Sequence, residues 1–74
     1  MGHRDLEFSS KVGAKVKLER TKQGLSQEKL AELSDISPNH IGNIERAESS
    51  PTIELLKKVA DGLGISIVDL VNVS

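Results

Sequence analysis

The stretch QEKLAELSDISPNHIGNIER, from Gln27 to Arg46, decides the fold. Its apolar residues recur every three or four positions on both sides of the polar-apolar pair Asp35–Ile36, and this spacing is helical. The segment between the two periodic runs is too short to be anything but a tight turn. We therefore predict a helix over Gln27–Ser34, a turn, and a second helix from Pro38 to about Arg46.

The same helical spacing extends over most of the chain, whereas no segment alternates apolar and polar residues as a strand would. We predict an all-α fold of five helices, with the other three starting near Ser9 or Ser10, at Thr52 and after Ser66, each at a residue suited to an N-cap. Residues 1–7 are predicted to form a flexible N-terminal arm and residues 8–74 the folded domain. The side chains expected to face inward include Phe8, Val12, Val16, Leu30, Ala31, Leu33, Ile41 and Ile44.

Composition narrows the class of protein. The 74 residues carry 10 basic and 11 acidic side chains and no cysteine, so there are no disulfides, and His3 and His40 alone cannot form a zinc cluster. We expect no metal and no small-molecule cofactor. No apolar run approaches the roughly 20 residues that a membrane helix needs, and residues 1–10 lack a secretory apolar segment, so we expect a cytoplasmic protein without membrane contact.

The second helix of the central pair has an unusual outer face. Ser37, Asn39, His40 and Asn43 lie on the side opposite Ile41 and Ile44, and all four are polar without being acidic or basic at neutral pH. Asparagine can pair bidentately with adenine, and histidine can hydrogen-bond a purine N7. This face suits the edges of DNA bases better than it suits a purely solvated surface.

Four motifs carry a resemblance to a known family. They are GLSQEKLAELS (Gly24–Ser34), IGNIER (Ile41–Arg46), SPT followed by an amphipathic helix (Ser50–Leu63), and LGISIVDL (Leu63–Leu70). In order and spacing the chain resembles the phage repressor and Cro family of helix-turn-helix domains, also called the xenobiotic-response-element type. The resemblance implies a five-helix lambda-repressor-like fold with the third helix in the major groove of double-stranded DNA and the second across the backbone.

The resemblance also implies roles for single residues. Gln27 is expected to contact both a base and a phosphate, and the other expected base-reading residues are Ser37, Asn39, His40 and Asn43. Phosphate contacts are expected from Arg46, Ser49, Ser50 and Thr52. Arg20 and Glu45 match a pair that forms an inward ion pair in relatives, which we assign to the scaffold.

Two positions depart from the family pattern. Asp35 stands in the turn where glycine is usual, and Ala47 stands where glycine often follows the third helix. Aspartate tolerates left-handed backbone geometry better than alanine does, so we expect the turn to keep its shape and the path after Ala47 to be the more strained of the two.

The C-terminal segment is more apolar than one short helix can bury. Leu70 and Ile65 are expected to close the core, which leaves Ile67, Val68, Val71 and Val73 for a two-fold seam between copies of the chain. The alternative is that a further domain covers them.

The function predicted from these features is a sequence-specific transcriptional regulator, a repressor, that binds a palindromic operator as a homodimer. An antitoxin-like or accessory protein-interaction module of the same fold is the alternative. A role as the oligomerisation part of an enzyme is a third possibility, but no nucleophile, acid-base pair or cofactor loop is present, so we predict that the chain is not an enzyme.

Overall fold

Five α-helices make up the regular structure of residues 3–73, the part of the chain that the computed structural model describes, with side chains described from residue 7 onward. In order they are α1 (His3–Lys22), α2 (Gln27–Ser34), α3 (Pro38–Glu45), α4 (Ile53–Leu63) and α5 (Ile67–Val71). The predicted all-α class and the bounds of the central helix pair are confirmed. Residues 1, 2 and 74, which belong to the predicted arm and to the end of the predicted domain, lie outside the described residues.

The first helix corrects two predictions. It begins at His3, so the start expected near Ser9 or Ser10 is wrong; residues 3–8 contain no proline or glycine, and Arg, Leu and Glu all favour a helix there. Ser9 lies inside α1 and is buried, whereas Phe8, expected to face inward, is 44% exposed. Val12 and Val16 define the direction of the buried face of α1. Ser9, three residues before Val12, lies closer to the middle of that face than Phe8 does. The backbone of residues 3–7 is therefore helical, and the flexibility of the arm stays a prediction.

The core lies where α2 packs on α4 and where α3 packs on α1 and α2, with α5 closing one end against α4 and α1. Its buried apolar residues are Val12, Val16, Leu30, Ala31, Ile41, Ile44, Leu56, Val59, Ala60, Leu63 and Leu70. Leu33 was expected among them but is 49% exposed, because α2 turns Leu30, Ala31 and Ser34 toward its neighbours instead. Within residues 3–73, no helix combines the length and the apolar character needed to cross a membrane.

Helices α1 to α4 end in the same backbone arrangement. Each is followed by a left-handed residue, and the N–H of the next residue donates to a carbonyl five positions back. The left-handed residues are Gly24, Asp35, Ala47 and Gly64, with φ of 71°, 57°, 57° and 74°. The returning N–H groups belong to Leu25, Ile36, Glu48 and Ile65, at donor–acceptor distances of 3.1, 3.1, 2.9 and 3.0 Å. Asp35 and Ala47 thus both take the left-handed conformation that glycine takes at the ends of α1 and α4.

Candidate nucleic-acid interface

The central helix pair is fixed by its caps. Ser26 Oγ accepts the Lys29 N–H at 3.0 Å at the start of α2, and Ser37 Oγ accepts the His40 N–H at 3.4 Å at the start of α3. Pro38 occupies the first turn of α3, where a missing N–H has no cost. Because Ile41 on the inner side of α3 is fully buried, the orientation of α3 is set by the core.

The outer side of α3 carries the predicted base-reading residues of that helix. Ser37, Asn39 and His40 are exposed and Asn43 is half-buried, whereas Ile41 and Ile44 are buried. Asn39, His40 and Asn43 thus lie on the side of α3 turned away from its buried residues, with Ser37 exposed at the cap of the same helix. We call the surface of these four residues the α3 face. The hydroxyl of Ser37 already serves as a cap, which leaves its O–H free to donate outward.

Gln27 lies at the first position of α2, and its side chain turns toward the end of α3. Its Nε2 donates to Glu45 Oε1 at 3.0 Å. Gln27 was expected to contact DNA. Nothing in the sequence indicated its hydrogen bond to Glu45, since the two residues are 18 positions apart and on different helices. The bond ties the start of α2 to the last turn of α3.

The predicted ion pair between Arg20 and Glu45 is present. Arg20 Nε lies 2.6 Å from Glu45 Oε2, Nη2 donates to Oε1 at 3.1 Å, and Nη1 donates to the Leu25 carbonyl at 2.7 Å. The two side chains are only 12% and 4% exposed. The hydrogen bond to Glu45 raises the pKa of Arg20, and the negative charges of Glu45 and Glu28 act in the same direction, against the opposing effect of burial. The pair joins α1 to the last turn of α3.

Arg46, a predicted phosphate contact, follows α3 immediately and is 55% exposed. Its Nη2 donates to Asn43 Oδ1 at 3.1 Å, and its Nε lies 3.1 Å from Glu48 Oε1. Asn43 and Arg46 are three residues apart near one helix end, a spacing that brings side chains together on a helix surface and that the sequence shows. Glu48 was not singled out from the sequence at all, although it shares this site.

The other predicted phosphate contacts lie in the α3–α4 loop. Ser49, Ser50 and Thr52 are exposed. Thr52 caps α4, with its Oγ1 accepting the Leu55 N–H at 3.1 Å. The three hydroxyl groups therefore follow Arg46 along an exposed stretch of chain, adjacent in sequence to the α3 face.

Only part of the predicted dimer seam is exposed to solvent. Ile67, Val71 and Val73 are half-buried and pack against the core, whereas Val68 is 65% exposed. Leu70 is fully buried and closes the core, as expected. Of the four seam residues, Val68 is the one that offers a largely open apolar surface.

Residues 16–70 match a family described as helix-turn-helix. The chain belongs to this Cro/C1-type helix-turn-helix family. The family resemblance inferred from the sequence is thereby confirmed, and relatives of the family include a phage immunity repressor.

Three relatives show the extent of the likeness. The HTH-type transcriptional regulator SutR of Escherichia coli is 46% identical over 46 residues, which cover 62% of this chain and 26% of that protein. The immunity repressor protein of Bacillus phage phi105 is 35% identical over 60 residues, or 81% and 42%. The crystal structure of a helix-turn-helix family transcriptional regulator from Vibrio cholerae superimposes with a TM-score of 0.85 at 41% identity, covering 89% of this chain and 37% of that one.

This chain spans less than half the length of each of these three proteins. SutR and the Vibrio cholerae protein are named as helix-turn-helix transcriptional regulators, and the phi105 protein is named as a repressor. These names and the family match agree with the prediction that the chain is not an enzyme. The chain is a helix-turn-helix domain of the kind that transcriptional regulators carry.

Proposed function

We propose that the chain binds double-stranded DNA in a sequence-specific way and represses transcription. The observation that carries this proposal is the α3 face: exposed Asn39 and His40 and half-buried Asn43 on a helix whose opposite side is locked into the core. The naming of one relative as a phage immunity repressor supports repression over activation. Because bacterial and phage DNA lies in the bacterial cytoplasm, the proposal places the chain there.

In the proposed complex, α3 enters the major groove. Asn39 and Asn43 offer carboxamides to adenine edges, and His40 offers a ring nitrogen to a purine N7. Arg46 and the hydroxyl groups of Ser49, Ser50 and Thr52 contact phosphates, which sets the register of α3 on the duplex but selects no sequence.

Gln27 has a double role in this proposal. Its Nε2 is held by Glu45, but a primary amide has a second N–H and an acceptor oxygen, and the unpaired main-chain N–H groups at the start of α2 favour an anion. The hydrogen bond to Glu45 therefore fixes the direction of the side chain without using up its capacity to contact DNA.

The site assignment is tested by nuclear magnetic resonance. Adding a mixed-sequence DNA duplex to the isotope-labelled chain at low salt should shift the amide signals of Gln27, Ser37, Asn39, His40 and Asn43. Signals of α5 should stay unchanged at DNA concentrations that already saturate the α3 shifts. Shifts confined to α4 and α5, or none at all, would contradict the assignment and would favour the alternative of a protein-interaction module.

We further propose that the chain binds a palindromic operator as a homodimer through α5. Val68 is 65% exposed and Ile67, Val71 and Val73 are each half-buried beside it, so a second copy of α5 across a two-fold axis would cover all four. Two copies of α3 would then face half-sites about one helical turn of DNA apart, roughly 34 Å.

The seam is tested with Val68→Asp, which places a charge on an exposed position and leaves the core untouched. We expect a shift from dimer to monomer in analytical ultracentrifugation. Ile53→Asp is the matched control, because Ile53 is 70% exposed on α4 and lies outside the seam. An unchanged mass for Val68→Asp, or equal dissociation of both variants, would rule out this seam.

A further inference from the structure

Glu48 occupies a position where the other helix ends place an apolar residue. After the left-handed residues that end α1, α2 and α4 come Leu25, Ile36 and Ile65, which are all partly buried and packed against the core. Such an apolar contact is the usual companion of this helix ending. After α3 the equivalent residue is Glu48, whose side chain is 56% exposed. Glu48 therefore adds nothing to the core, and its carboxylate faces the surface beside Arg46.

The backbone holds Glu48 in place. Its N–H donates to the Asn43 carbonyl at 2.9 Å, and the left-handed Ala47 turns the chain back toward α3. Glu48 Oε1 then lies 3.1 Å from Arg46 Nε, while Arg46 Nη2 donates to Asn43 Oδ1 at 3.1 Å. The guanidinium of Arg46 thus has an anion on one edge and an amide oxygen on another.

We propose that Glu48 competes with DNA phosphate for the guanidinium of Arg46 and so lowers the affinity of the chain for every DNA sequence by a similar factor. A carboxylate and a phosphate accept the same charge-assisted hydrogen bonds from a guanidinium, and the carboxylate is already present before DNA arrives. The proposal rests on the proposed function, because it assigns Glu48 a role in the contact between Arg46 and a phosphate.

The exposure of the pair determines how strong this competition is. Both side chains are more than half exposed, and an exposed ion pair is weak, so a phosphate displaces Glu48 rather than being shut out. Because phosphates are the same in every sequence, the effect falls on specific and non-specific complexes alike and leaves base preference unchanged. Glu48 acts through Arg46 and is a residue that sets overall affinity.

The test compares Glu48→Gln with Asp61→Asn. Asp61 is 68% exposed on α4 and pairs with Lys57 at 3.8 Å, so each variant removes one negative charge from an exposed ion pair. Binding to a fluorescent mixed-sequence duplex and to a sequence selected from a random pool is measured by anisotropy over a range of salt concentrations. Glu48→Gln should tighten binding to both duplexes by about two- to fivefold at low salt and steepen the salt slope by up to about one unit. Asp61→Asn should change either affinity by less than about twofold.

Glu48→Gln in an Arg46→Ala background separates competition for Arg46 from simple charge repulsion between Glu48 and the DNA. If Glu48 acts through Arg46, Glu48→Gln has no effect on affinity once Arg46 is gone. An equal gain with and without Arg46, or equal gains from Glu48→Gln and Asp61→Asn, would overturn the proposal. So would unchanged affinity of Glu48→Gln in a chain that binds DNA normally. If the unmodified chain binds no duplex at low salt, the proposed function itself fails and this inference fails with it.

Discussion

At the scale of single residues, Ala47 has the backbone conformation that suits its side chain least. Its φ is 57°, in the left-handed region, which costs a residue with a Cβ about 1 to 2 kcal/mol. Ala47→Gly should therefore raise the free energy of unfolding by about 0.5 to 1 kcal/mol, the gain being reduced by the greater freedom of glycine in the unfolded chain. Urea denaturation measures it.

The reverse substitution is the control. Gly64 has φ of 74° at the equivalent end of α4, and a Cβ added there meets no atom within 4 Å. Gly64→Ala should lower the free energy of unfolding by about 1 kcal/mol through backbone strain alone. If Ala47→Gly were destabilising while Gly64→Ala behaved as expected, the left-handed conformation of Ala47 would be in doubt.

Asn39 and Asn43 are the residues on which base recognition depends most in the proposed complex. Replacing either one by alanine should relax the preference at one or two base positions by about 1 to 3 kcal/mol, because a bidentate contact to a base edge is lost. Both side chains lie outside the core, so thermal unfolding should barely change. Competition binding with single-base operator variants measures the preference, and full discrimination by both variants would contradict the assignment.

At the scale of helices, the Arg20–Glu45 ion pair joins α1 to α3. Glu45→Gln leaves the guanidinium of Arg20, whose side chain is 12% exposed, without its counter-charge, and should cost about 3 to 5 kcal/mol of unfolding free energy. Asp61→Asn, which breaks an exposed pair, should cost less than about 1 kcal/mol. Chemical denaturation of both variants tests this. Similar stabilities of Glu45→Gln and Asp61→Asn would mean that the Arg20–Glu45 pair does not stabilise the fold.

The raised pKa of Arg20 sets the pH range of its contribution. A base whose pKa is higher in the folded state stabilises the fold fully below its unfolded pKa, and the stabilisation is lost only when the pH rises through the folded value. For an arginine that range is strongly alkaline, so the contribution of Arg20 is constant across neutral pH.

Two helical glycines make a second test at this scale. A Cβ on Gly13 would overlap the backbone carbonyl oxygen of Ile44 and lie 2.9 Å from that of Glu45, so Gly13→Ala must push α1 and α3 apart. We expect a loss of about 1 to 3 kcal/mol in unfolding free energy. The atoms nearest to a Cβ on Gly42 belong to the movable end of Arg46, with Nη1 at 2.8 Å, so Gly42→Ala should be neutral or stabilising by up to about 1 kcal/mol. Equal stabilities of Gly13→Ala and Gly42→Ala in thermal unfolding would contradict the close contact of α1 and α3.

The helices also show where sequence reasoning works and where it fails. The bounds of α2 were predicted to the residue, because the Ser26 cap marks its start and the turn at Asp35 marks its end. The start of α1 was misplaced because Ser9 and Ser10 look like caps, although the residues before them favour a helix equally well. Phe8 and Leu33 were assigned to the core because each is apolar and lies one helical turn from a core residue, Val12 or Leu30. The buried face of each helix instead includes the neighbouring serine, Ser9 or Ser34, which helical spacing alone did not distinguish.

At the scale of the whole molecule, the charge balance limits how DNA is bound. The net charge is -1, so the chain has little general attraction for a polyanion, and the proposed complex depends on a few local phosphate contacts. The logarithm of the binding constant should fall only gently with the logarithm of salt concentration. A slope as steep as about -10, which corresponds to roughly ten phosphate contacts, would contradict this.

The candidate site was predictable in part. The α3 face follows from helical spacing, since Asn39, His40 and Asn43 lie opposite buried isoleucines. The contacts of Gln27 with Glu45 and of Arg46 with Glu48 were not predictable, because the first joins distant positions and the second depends on a left-handed turn at an alanine. Tertiary packing decides the first contact, and the local backbone conformation at Ala47 decides the second.

The presentation of α3 to the major groove is tested most directly by selecting bound sequences from a random pool of DNA duplexes at low ionic strength. We expect enrichment of a palindromic sequence whose half-sites are centred about 10 base pairs apart, with the enrichment lost when Asn39 and Asn43 are both replaced by alanine. Enrichment of a single, non-repeated half-site would contradict the homodimer alone. No enriched sequence at any protein concentration would contradict DNA recognition by α3.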